Sequence, residues 1–270
     1  AGAVLWLPEK LQSECPEARS FTSLKEVFAQ AFEAGSPLVG IMATGIAVRH
    51  LAPLLKGKDS DPAVVILDEG GRFAVSLLSG HLGGANELAR QVAGLLGATP
   101  VITTASDVQG LPAVDVLAAR LGLKIETLEG VKAIQMALLN RQPVRLMDPG
   151  GRLQQDLAGW QELFVVEPER PENMIRPGPA VYVGYREYVW PEGWLRLRPK
   201  VLVAGVGCNR GTPAEEILAL LTEVFARYNL SPGSLQALAS ITAKQDEAGL
   251  LAAARELGVE VRWFTREELK

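Results

Sequence analysis

Two cysteines, two histidines and 6% aromatic residues are a small stock for cross-links, metal centres or stacking platforms in 270 residues. Cys15 and Cys208 stand far apart in unlike surroundings, which excludes a disulfide framework. With only His50 and His81 beside them, no ligand spacing for a structural zinc exists, and no metal site is expected. No apolar stretch reaches the roughly 20 residues that a membrane helix needs, and no secretory leader is legible. The expected address is therefore cytoplasmic. No run of Lys or Arg is present, and a net charge of −4 argues against general affinity for nucleic acid. A substrate rich in carboxylates stays open, because a few local donors suffice to bind it.

What is present has the balance of a soluble globular chain, with 48% hydrophobic and 21% charged residues. The opening Ala1-Gly2-Ala3 and the closing Thr265-Arg266-Glu267-Glu268-Leu269-Lys270 both read as cut from something longer. Ser23-Leu24-Lys25-Glu26 spells a capping box, followed by a helix to Gly35. A buried strand at Pro37 to Ala43 leads through Thr44-Gly45 into a short helix that Pro53 should end or kink. Strands at 63–67 and 72–78 flank the turn Asp68-Glu69-Gly70-Gly71, which predicts a hairpin. A helix at 84–96, a strand at 99–104 and a helix at 113–121 follow. This alternation predicts a three-layer α/β domain with a mostly parallel sheet over residues 1–122. Residues 123–198, broken by Pro168, Pro171, Pro177, Pro179, Pro191 and Pro199 close by, read as a small middle region with linkers. Residues 199–270 read as a second, incomplete α/β domain, its first helix capped by Thr212-Pro213-Ala214-Glu215.

The most informative stretch is Ser79-Gly80-His81-Leu82-Gly83-Gly84-Ala85-Asn86-Glu87-Leu88-Ala89-Arg90, set between a strand and a helix. Glycines at such a junction let the backbone approach a ligand, and free helix amides can receive an anion or a developing oxyanion. A histidine there can move a proton near neutral pH. Against this stands a turn whose histidine only caps or packs. Glu87 is the second catalytic candidate, although a carboxylate favours the first helical turn in any case. Thr103, Thr104 and Asp107 end the next strand and are expected near the other loops at the carboxyl edge of the sheet.

The pattern of strand, glycine loop and helix start occurs three times, at Ala43 to Gly45, Ser79 to Gly84 and Gly207 to Thr212. Together they would suit a large ligand bearing several carboxylates, taken by helix amides or by Arg49 and Arg210. Gly205-Val206-Gly207-Cys208-Asn209-Arg210-Gly211 is close to a dinucleotide fingerprint, but its third glycine falls one place late. No acidic residue ends the next strand near Ser240-Ile241. Cys208 could face a helix N-terminus, yet it has no evident histidine partner and reads equally as a small packed residue. His50 reads as a packing or surface residue.

Taken together, these segments resemble the cobalt-precorrin 5A hydrolase family of anaerobic cobalamin biosynthesis. The resemblance rests on Met42 to Arg49, Ser79 to Ala89, Thr99 to Asp107, Gly207 to Thr212 and Lys244-Gln245-Asp246-Glu247-Ala248-Gly249-Leu250. Asn209 departs from it, standing where a basic residue is expected. Members of the family usually also begin with a further strand and helix and continue past the equivalent of Lys270. The resemblance implies a reaction on a cobalt-bearing tetrapyrrole, in which a δ-lactone opens and a two-carbon unit leaves as acetaldehyde. It implies His81 as the proton carrier, with Gly83 and Gly84 amides at the oxyanion. It also implies Thr44, Gly45, Arg49, Ser79, Gly80, Asn86, Thr103, Thr104, Asp107, Cys208, Arg210, Gly211, Thr212 and Lys244 around the substrate. The substrate brings its own cobalt, so no cofactor is expected, and other enzymes of the same pathway are the expected protein partners. A non-catalytic carrier of corrinoid intermediates and an NADPH-dependent oxidoreductase are the rival readings.

Overall fold

The computed structural model describes residues 3–57, 60–81 and 83–268. They form two compact units, Ala1–Val108 and Gln109–Lys270. Among the described residues no helix is long and apolar enough to cross a membrane.

In the first unit, strands β1 (Trp6–Pro8) and β2 (Arg19–Phe21) pair in parallel ahead of helix α1 (Leu24–Glu33). There follow β3 (Leu38–Ile41), α2 (Thr44–Leu51), β4 (Val64–Leu67), β5 (Phe73–Leu78), α3 (Ala85–Leu96), β6 (Thr99–Val101) and α4 (Ala105–Val108). The last four strands form one sheet in the order β3-β4-β5-β6. Every residue of β4 is buried, because both faces are covered. Val64 and Ile66 pack with Phe28, Ala47 and Leu51 of α1 and α2 on one side. Val65 and Leu67 pack with Ala85, Ala89 and Ala93 of α3 on the other. These are the three layers that the alternation of elements predicts.

The pairing directions matter for the site. β3 runs parallel to β4 and β5 parallel to β6, but β4 and β5 are antiparallel. Their turn is the one read at Asp68 to Gly71: Gly71 N–H donates to the Asp68 carbonyl at 2.9 Å, and the Asp68 carboxylate accepts from the amides of Arg72 and Phe73. Register then aligns Ile41 with Leu67 and Leu67 with Ala74, whereas Leu38 aligns with Val64 and Val64 with Leu78. Chain leaving β3 and chain leaving β5 therefore emerge at opposite edges of the sheet.

The second unit opens with α5 (Val114–Arg120), β7 (Lys124–Ile125), α6 (Leu128–Leu139), β8 (Val144–Met147) and β9 (Phe164–Val166). It continues through α7 (Pro171–Met174), β10 (Ala180–Val183) and β11 (Trp194–Arg198). The proline-broken middle thus carries a five-stranded sheet, ordered β7-β11-β10-β8-β9, with a core built from Ile134, Leu138, Leu146, Val181, Leu195 and their neighbours. Pro171 sits in the first turn of α7, where a missing N–H costs nothing. Next come β12 (Leu202–Gly205), α8 (Ala214–Arg227), β13 (Leu235–Ile241), α9 (Ala248–Leu257) and β14 (Glu260–Phe264), whose strands are all parallel.

Arg198 ties the two sheets of this unit together. Fully buried, it contacts Glu126 at 2.9 Å and Glu187 at 2.6 Å and donates to the carbonyls of Gly184 and Arg186. Ser231, on the segment before β13, donates to Glu126 at 2.9 Å. Two caps differ from expectation. Ser23 precedes α1 without a side-chain bond to it. α8 begins after Pro213, since the Thr212 hydroxyl donates back to the Asn209 carbonyl at 3.0 Å instead of capping.

Candidate active site

β5 is apolar except for Ser76, and it ends where Ser79 takes a left-handed φ of 58°. The Ser79 hydroxyl donates to the Asp61 carbonyl at 2.7 Å, and the loop then closes on itself. Gly84 N–H donates to the His81 carbonyl at 2.8 Å, Ala85 N–H to Ser79 at 3.1 Å and Asn86 N–H to Gly80 at 3.0 Å. These amides are occupied, so Gly84 does not offer the open anion cradle expected from the sequence. The glycines serve internal packing instead. A Cβ on Gly83 would lie 2.3 Å from that of Ser79, and one on Gly80 would lie 2.7 Å from Asn86 Oδ1.

Around the His81 ring the chain assembles a polar network. His81 Nε2 lies 3.0 Å from Ser106 Oγ and 3.3 Å from Asp107 Oδ2. Asn86, only 4% exposed, accepts from Ser76 Oγ at 2.7 Å. Its Nδ2 donates to Thr104 Oγ1 at 3.0 Å and to Asp107 Oδ2 at 2.9 Å. Arg90, one turn along α3, pairs with Asp107 Oδ1. The imidazole keeps 23% of its surface in solvent, so it is held from below and open above. β6 runs parallel to β5, which is why the segment after it reaches this edge. The expected meeting of Thr104 and Asp107 with His81 and Asn86 thus occurs, with Thr103 exposed beside them.

Three family models cover the chain in order: Cobalamin synthesis G N-terminal over residues 26–107, Cobalamin biosynthesis central region over 112–199 and Cobalamin synthesis G C-terminus over 202–270. A cobalt-precorrin-5A hydrolase of Priestia megaterium is 37% identical, over 92% of this chain and 68% of its own length. One of Salmonella typhimurium strain LT2 is 39% identical, over 89% and 69%. The chain belongs to the cobalt-precorrin-5A hydrolase family. A solved structure described as a cobalamin biosynthesis protein G homologue from Sulfolobus solfataricus aligns over 97% of this chain and 75% of its own, at 24% identity and a TM-score of 0.38.

In this member of the family other candidates of the first unit lie apart from the imidazole. Thr44 and Gly45 start α2 at the edge where β3 ends, opposite to the Ser79 loop, because the hairpin between β4 and β5 reverses direction. Arg49 is exposed and donates to the Gly45 carbonyl at 3.2 Å. α2 also packs on the sheet face that α3 does not cover. Glu87 is 62% exposed, accepts from Gln91 and lies 3.8 Å from Arg90, so it meets the network at that guanidinium and not at the imidazole.

The third loop belongs to the second unit. Its parallel strands do bring Gly207 to Thr212 and Lys244 to one edge, as expected. There, however, Arg210 pairs with Asp246 at 2.8 Å and Glu247 at 3.4 Å, and Lys244 with Glu247 at 3.1 Å. Gly211 N–H donates to the Glu247 carboxylate at 3.0 Å, at a place where a dinucleotide would need a free amide. That bond and Lys244 hold the Glu247 carboxyl below the usual carboxylate range. Cys208 is a half-buried free thiol. The sequence reading missed Ser76, Arg90 and Ser106. Ser76 was legible as the one polar residue of an apolar strand, and Arg90 as the i+4 neighbour of Asn86 on one helix face. Ser106 had no such signal.

Proposed function

We propose that this chain hydrolyses cobalt-precorrin 5A, opening its δ-lactone and releasing acetaldehyde. The observation that carries the reading is 37–39% identity, across 89–92% of the chain, to two proteins of that name. Water adds to the lactone carbonyl and the ring C–O bond breaks, leaving a carboxylate and a hydroxyl. The hydroxyl proton then passes to a base while the carbon–carbon bond breaks. The bonding pair stays on the macrocycle, which takes a proton back, and the two-carbon unit leaves with its new C=O. His81 is the base, being the one imidazole of the network and partly open to solvent. Arg90, 47% exposed, has donors beyond the one that Asp107 takes and is the cation placed to meet a substrate carboxylate. Thr103 adds an exposed hydroxyl next to Thr104 in the chain. Cobalt is part of the substrate, and neither a resident metal nor an organic cofactor is assigned.

The test is incubation with cobalt-precorrin 5A and assay of acetaldehyde. Turnover is expected, with His81→Ala slower by at least ~100-fold, the range of general acid–base contributions. Tight binding of the corrinoid without aldehyde release would establish a carrier instead, and near-normal turnover of His81→Ala would remove the imidazole from the chemistry.

A further inference from the structure

We infer that Asp107 is a positioning residue that fixes His81 in its Nε2–H tautomer, so that Nδ1 is the nitrogen that exchanges the proton. Its catalytic meaning rests on the role of His81 proposed above; its geometry does not. Nε2 faces two oxygens, Asp107 Oδ2 at 3.3 Å and Ser106 Oγ at 3.0 Å. A carboxylate only accepts, so a bare lone pair on Nε2 would meet the Asp107 oxygen with no hydrogen between them. A proton on Nε2 turns that repulsion into a charge-assisted bond. The Ser106 hydroxyl can accept or donate, and so follows the choice that the carboxylate makes. Turning the ring over would put a carbon where Nε2 stands and lose both contacts. Among the described residues Nδ1 has no hydrogen-bond partner, which leaves its lone pair for an incoming proton.

Asp107 already accepts at both of its oxygens. Arg90 donates to Oδ1 and Asn86 Nδ2 to Oδ2 at 2.9 Å. Both are donors at these atoms. The same arrangement rules out Ser106 as a nucleophile fired by His81. Ser106 is only 2% exposed, and its hydroxyl faces the nitrogen that already carries the proton. The acidic partner of the imidazole is therefore Asp107, which the sequence reading placed against substrate, whereas Glu87 meets Arg90 at 3.8 Å.

The test uses the 270-residue chain labelled with 15N-histidine. With His50→Gln in place, His81 supplies the only ring signals. For the neutral ring, a pyrrole-type Nε2 and a pyridine-type Nδ1 are expected, and the reverse pattern in this otherwise unaltered chain overturns the inference. Asp107→Asn can donate to Nε2 and is expected to exchange the two patterns, while lowering kcat about 10²–10⁴-fold with little change in KM, as wrong-tautomer substitutions do. An exchanged tautomer with kcat within threefold of the parent would also overturn it. Failure of the function itself reads differently, since a fully active His81→Ala would remove the imidazole from the chemistry while the ring signals of the parent chain still report its tautomer.

Discussion

Replacing Asn86 by alanine removes the hub of the His81 network while leaving the apolar face of α3 intact. Its side chain makes two neutral hydrogen bonds, from Ser76 at 2.7 Å and to Thr104 at 3.0 Å, and one to the Asp107 carboxylate at 2.9 Å. At about 1 kcal/mol for each neutral bond and about 1.5–3 kcal/mol for the charged one, the loss is about 3.5–5 kcal/mol. That is a large share of the ~5–15 kcal/mol that holds a domain folded. Hydrogen exchange read by mass spectrometry gives the opening free energy segment by segment. Peptides from β5 and α3 should lose the full amount, while peptides from residues 109–268 stay within about 0.5 kcal/mol. Gly80→Ala should follow in the same direction, because its Cβ would press on Asn86 Oδ1. Gln91→Ala, on the exposed side of α3, should change little. A loss below 1 kcal/mol for Asn86→Ala, or one spread evenly over both units, would refute the reasoning.

Arg198→Met in the second unit should cost about 3–5 kcal/mol in a urea melt, because it leaves the Glu126 and Glu187 carboxylates without their buried cation; a change under 1 kcal/mol would show the pair to be dispensable. Burial alone would raise the Glu126 carboxyl, but the Arg198 bonds outweigh it and hold the group below its ordinary range. A depressed folded value gives stability that is complete above the unfolded pKa of about 4.3 and is lost as pH falls through the folded one. The Tm should therefore fall between pH 5 and pH 3 more steeply in the parent than in Glu126→Gln, and equal slopes would contradict the assignment. Gly249→Ala sets two effects against each other. Helix propensity favours alanine by about 1 kcal/mol. The new Cβ, though, would stand 2.0 Å from the Thr212 carbonyl oxygen, so thermal melting should show a net loss of about 1–3 kcal/mol; a gain would mean that the loop before α8 yields freely.

The sequence by itself determined what is local. The helix read over 84–96 is α3, the turn at 68–71 closes a hairpin, α2 ends just before Pro53, and the apolar runs at 63–67 and 73–78 are strands, the first of them buried throughout. Each rests on periodicity, a capping residue or turn chemistry within a few residues, which a chain states openly. Only the tertiary structure decided which loops share an edge. The hairpin was legible, yet its consequence was not: one antiparallel step sends Thr44 and Gly45 away from His81, while the parallel β5–β6 pair brings Ser106 and Asp107 to it. Pairing also decided which charges remain available. Arg210 meets Asp246 and Glu247 from 36 and 37 positions along the chain, and Arg90 meets Asp107 from 17. Even the glycines changed meaning, since those at 80 and 83 make room for Asn86 and Ser79, neighbours whose closeness exists only once the chain has folded.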